Sequence, residues 1–120
     1  MSNQPSDPAP TAAQLFEQLR ETLEDVLGTA ATATFLRRSA RRAAGRYPEL
    51  AGVGITKQRL DYEYVLPQRW FDTHADTAAL TAWVAELEHL LADLTGAVMI
   101  RKLRSVPALT SAGLFRPEGA

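Results

Sequence analysis

The sequence predicts a small α+β domain with the element order α-α-β-β-α-β. Apolar residues recur at helical spacing from Leu15 to Leu27 and from Leu80 to Leu94. Between Val53 and Leu66 the period changes to two. Glycine or proline marks the changes of pattern, at Gly28, Pro48, Pro67 and Gly96. A length of 120 residues suits one domain. Residues 11–120 are therefore read as a single unit behind a leader at 1–10.

That leader, "MSNQPSDPAP", carries three prolines among polar residues and is expected to be disordered. It has neither the basic residues nor the apolar run of a secretory signal. Thr11 opens the first helix, because Thr11 and Gln14 are spaced as a capping box. Leu15, Phe16, Leu19, Leu23, Val26 and Leu27 form its apolar side, and Glu17, Glu21, Glu24 and Asp25 the other. Gly28 ends it, and Thr29 is placed to cap the next helix. Helix two is expected over Ala30 to Arg46. Ala33, Leu36, Ala40, Ala43, Ala44 and Tyr47 share one stripe there, mostly alanine, and Arg37, Arg38, Arg41, Arg42 and Arg46 cover the opposite half.

"VGIT" and "LDYEYVL" read as a β-hairpin around Lys57, Gln58 and Arg59. Leu60, Tyr62, Tyr64 and Leu66 fall on one face of its second strand, and Asp61, Glu63 and Val65 on the other. A connector leads to the long third helix, whose buried side is Leu80, Trp83, Val84, Leu87, Leu90, Leu91 and Leu94. "AVMIRKL" is expected as a third strand, joined by a right-handed crossover and completing a three-stranded mixed sheet covered by the long helix. "SVPALTSAGLF" is a short helix or turn packing as a tail. A three-stranded sheet leaves edges and an outer face to cover, which predicts a homodimer.

Composition narrows the function classes. The chain is 46% hydrophobic and 22% charged, with formal net charge -1, which is globular. Without cysteine there can be no disulfide, thiolate metal site or cysteine nucleophile. No apolar window reaches the roughly 18 residues of a membrane helix. A cytoplasmic location and no membrane association are expected. Arginine far outnumbers lysine and alanine is abundant, as in proteins of GC-rich bacterial genomes.

Three constellations remain. Arg37, Arg38, Arg41, Arg42 and Arg46 form the first candidate, a partner or anion contact. Its first reading is a solvated or ion-paired face, any ion pairs coming from the carboxylates of helix one. A protein or anion contact comes second and nucleic acid last, since no helix-turn-helix glycine or interleaved aromatic accompanies the run. Tyr62, Tyr64, Trp70 and Phe71 form the second, a ligand pocket or dimer surface weighed against ordinary core. Asp72, His74 and Asp76 alternate as metal ligands might, yet stand where helix caps belong, so no metal is assigned. No phosphate loop, nucleotide fingerprint or serine elbow is present, and neither enzyme activity nor a cofactor is expected. The functional expectation is a non-enzymatic homodimeric module acting through an unidentified protein partner. The alternative is a sensory or carrier domain with an aromatic pocket, and a weak nucleic-acid binder is the remote third.

Overall fold

In the computed structural model, which describes residues 10–72, 77–95 and 97–115, the first helix starts where the capping box requires. Thr11 N–H donates to Gln14 Oε1 at 2.8 Å, and Gln14 N–H donates to Thr11 Oγ1 at 3.1 Å. Two amides of the first turn are thereby satisfied. Helix α1 (Ala12–Leu27) buries Leu15, Phe16, Leu19 and Leu23, as the spacing predicts. Gly28, at φ 84°, ends it and is at once the residue before α2 (Thr29–Ala43). Thr29 is thus the first residue of α2 rather than its cap. The helix also stops at Ala43, short of Arg46, because Ala44, Gly45 and Arg46 form a turn leading to the 3₁₀ helix Pro48–Gly52.

Strands β1 (Gly54–Gln58) and β2 (Asp61–Val65) pair antiparallel, with Ile55 opposite Tyr64 and Lys57 opposite Tyr62. Arg59 and Leu60 make the loop. Leu60 therefore leaves the face assigned to it and is 92% exposed at the tip. Asp61, Glu63 and Val65 face outward as expected. A second 3₁₀ helix, Gln68–Phe71, leads towards α3 (Ala78–Thr95), which buries Leu80, Trp83, Val84, Leu87, Leu90 and Leu91. Leu94, expected on that buried side, is 60% exposed. The expected caps Thr73 and Asp76, residue His74, Gly96, and the leader up to residue 9 lie outside the described residues.

The third strand is overturned. Residues assigned to it form helix α4 (Ala97–Arg104), and a last short helix, α5 (Pro107–Ser111), follows. The sheet has two strands among the described residues, so neither the mixed sheet nor its crossover exists there. Met99, Ile100 and Leu103 are the buried residues of α4, at positions i, i+1 and i+4. That is one helix face, which a seven-residue window does not distinguish from alternation. What remains is a mostly helical α+β fold with an antiparallel hairpin.

One core joins these elements. Phe16 stacks on Trp83 with centroids 5.0 Å apart, and Trp83 meets Trp70 at 6.1 Å. Leu109, Leu114 and Phe115 close it from the C-terminal side. Trp83 Nε1–H is paired inside it, donating to the Leu36 carbonyl at 3.0 Å and to Ser39 Oγ at 2.9 Å. This fastens α3 to α2 and turns the other side of α2, with its arginines, outward.

Candidate arginine-lined cleft

The arginines of α2 part into three groups. Arg46, just past the helix, pairs with Glu86 of α3 at 3.4 Å. Arg37 is half-buried and its Nη2–H donates to the Ile55 carbonyl of β1 at 3.1 Å. Arg38, Arg41 and Arg42 are exposed and make no ion pair among the described residues. No carboxylate of α1 pairs with them among the described residues. Glu17 and Glu24 both bind Arg20 of their own helix, at i+3 and i−4, with the Glu24 contact 2.8 Å long. Residues three and four apart on one helix are already neighbours on its surface, so Arg20 is within reach of both. Arg20 is consequently held protonated above its ordinary range, chiefly by the Glu17 hydrogen bond.

Arg37 and Arg41 line a cleft of about 420 Å³ between α2, the 3₁₀ helix Pro48–Gly52 and β1. Its other walls are Ala40, Ala44, Leu50, Ala51, Val53 and Ile55. The volume falls in the range of about 300–1,000 Å³ typical of ligand sites. The alanine stripe explains the opening. Ala40 and Ala43 are buried, but Ala44 is only half covered, and its methyl leaves space that a larger side chain would fill. The sequence marked Arg37 and Arg41, but not the opposite wall. Leu50, Val53 and Ile55 lie on one continuous stretch, from the 3₁₀ helix into β1, and their facing α2 depends on the turn before Pro48.

The aromatic group assembles differently. Trp70 is fully buried, and its Nε1–H donates to Glu49 Oε2 at 3.0 Å, where Arg69 also binds Glu49. Tyr64 packs on Phe16, with centroids 5.4 Å apart, and the Arg20 guanidinium lies 5.7 Å from its ring centre. Burial, then the Glu24 charge, pushes the Tyr64 hydroxyl up to about 12. Tyr62 is half-buried on the same strand face, while Phe71 is 59% exposed. Tyr64 and Trp70 thus join the core through Phe16 and Trp83, and none of the four lines the cleft. Asp72 is exposed at the end of its 3₁₀ turn, away from any group of three metal-ligating side chains among the described residues. No helix among the described residues is long and apolar enough to cross a membrane. Comparison with family models, with curated proteins and with solved structures returns no match.

Proposed function

We propose that this chain is a non-enzymatic cytoplasmic interaction module, and that the arginine face of α2 is its contact surface for an acidic protein partner. One observation carries the reading. Arg38, Arg41 and Arg42 stand together on two turns without a carboxylate partner among the described residues, while Arg20, Arg46, Arg69 and Arg104 each have one. The helix dipole accounts for cations in the last turn, and hence for Arg41 and Arg42, but not for Arg37 and Arg38 one turn earlier. Like charges at i, i+3 and i, i+4 cost a few tenths of a kcal/mol each. A partner that supplies carboxylates reverses the sign of that cost. The adjoining cleft has aliphatic walls and no aromatic ring on which a base would stack, which favours protein over nucleic acid.

Anisotropy of a fluorescein-labelled acidic dodecapeptide, measured beside a neutral peptide and a duplex oligonucleotide, tests this. The acidic peptide should bind most tightly. Reversing Arg38, Arg41 and Arg42 together to glutamate should weaken it about tenfold or more, from three exposed ion pairs at roughly 0.5 kcal/mol each. Far-UV circular dichroism should not change. Equal binding of acidic and neutral peptides, or tighter binding of the oligonucleotide, overturns the reading.

Self-association is the second reading. The third strand that suggested it is gone, but Leu60, Val65 and Phe71 remain 92%, 53% and 59% exposed on the hairpin and the turn after it. Sedimentation velocity decides. A dimer that dissociates in Val65→Asp supports the homodimer, and a monomer at all concentrations removes it.

A further inference from the structure

We propose that the cleft between α2 and β1 seats an aliphatic side chain of that acidic partner, while Arg37 and Arg41 hold a carboxylate next to it. The proposal rests on the reading of the α2 face as the partner contact, and it specifies what the partner presents: an acidic segment with an aliphatic anchor.

The walls set the anchor. Ala40, Ala44, Leu50, Val53 and Ile55 are all aliphatic, so they reward burial of a branched aliphatic group and offer an aromatic ring no stacking partner. The rim sets the charge. Arg37 and Arg41 are one turn apart on α2, so their guanidiniums reach the same side of the opening. Arg37 cannot swing freely, because its Nη2 is tied to the Ile55 carbonyl at 3.1 Å. A guanidinium has five N–H donors, and this contact uses one of them. The remainder form a fork held in place at the edge of an apolar surface, the arrangement in which arginine binds carboxylate most effectively. Arg41 makes no ion pair among the described residues. Its methylenes extend the apolar wall while its head remains in water. Charge and apolar surface therefore demand one occupant with both characters side by side.

Two labelled acidic decapeptides of equal charge test this, one with a central pair of leucines and one with serines in their place. The full-length protein should bind the leucine peptide roughly tenfold more tightly, the gain from burying about one leucine side chain. Ala44→Phe, which fills the cleft from the end of α2, should abolish that preference. As a second readout on the unaltered protein, the leucine peptide should shift the backbone amide resonances of Leu50, Val53 and Ile55 more than the serine peptide does. Equal affinity of both peptides, each weakened by reversal of Arg38 and Arg42, would overturn the cleft and leave the basic face standing. A preference that survives Ala44→Phe, or resonance shifts confined to other elements, also overturns the cleft. If neither peptide responds to charge reversal, the reading of the arginine face itself fails.

Discussion

Tyr64 shows how one side chain ties the hairpin to the helices. Its ring fills space against Phe16, but its hydroxyl is buried without a hydrogen-bond partner among the described residues, as is Glu24 Oε2. Burial favours the neutral phenol, so the folded-state value of about 12 exceeds the unfolded one of about 10. The stability linked to this proton is complete below about pH 10, where both states keep it. It is lost as the pH rises towards 12, because only the unfolded chain releases the proton in that window. Tyr64→Phe should flatten this part of the stability curve in urea titrations, and should remove a step near pH 12 in the tyrosinate absorbance. An unchanged slope would mean that the hydroxyl is wetter than its position implies. The same residue marks a limit of sequence reading. Period two places Tyr62 and Tyr64 on one face, but whether that face meets core or cavity depends on Phe16, which lies on α1.

At the scale of elements, what sequence could fix depended on how many local signals agreed. Helix α1 has a capping box, an apolar stripe and a terminating glycine, and all three appear in the structure, although the stripe is buried only as far as Leu23 and its last members differ, Val26 being exposed and Leu27 half-buried. The hairpin has alternation, but its turn, expected around Lys57, Gln58 and Arg59, lies one residue on at Arg59 and Leu60, since Lys57 and Gln58 pair with Tyr62 and Asp61. The stretch read as a third strand, "AVMIRKL", had only seven residues, two of them β-branched, too few to reveal the period of α4. The deciding pattern was Met99, Ile100 and Leu103, with Arg101, Lys102 and Arg104 away from it. The cleft was half legible for a related reason, since its arginines lie on one helix and the wall facing them on the stretch from Leu50 to Ile55, whose approach to α2 is set by tertiary structure. The hairpin also contains a local conflict. Arg59 adopts φ 58°, a left-handed conformation that costs a side chain about 1–2 kcal/mol and a glycine almost nothing. Replacing it with glycine loosens the unfolded chain by about 0.4–1 kcal/mol, so Arg59→Gly should stabilise the protein by about 0.5 kcal/mol. Chemical denaturation reads this as a higher midpoint at unchanged slope, and a lower midpoint would show that the arginine side chain compensates for its backbone.

For the molecule as a whole, the test is whether its ends belong to the same folding unit as its middle. The hydrophobic cluster runs without a break from Ala12 and Leu15 through Leu36, Trp70 and Trp83 to Leu109, Leu114 and Phe115. Phe115 is the last described residue, yet only 1% of it is exposed. A terminal segment that merely leaned on the surface would fray independently, and its truncation would cost little. One that supplies core should unfold with everything else. Phe115→Ala removes a buried aromatic ring and leaves a cavity, a change that costs about 3–5 kcal/mol. At about 4 °C per kcal/mol, the melting temperature should fall by roughly 12 °C or more. The transition should remain single and coincide between far-UV circular dichroism and tryptophan fluorescence, because Trp70 and Trp83 share the core that Phe115 closes. An early far-UV step of small amplitude, with the tryptophan transition unmoved, would instead make α5 and the residues after it a separate unit. The same comparison bears on function. Leu50, one wall of the cleft, belongs to this cluster, so a cooperative core would hold the cleft in shape until the whole domain unfolds. Peptide binding in the Phe115→Ala protein should then be close to normal below its lowered transition, and should disappear with it.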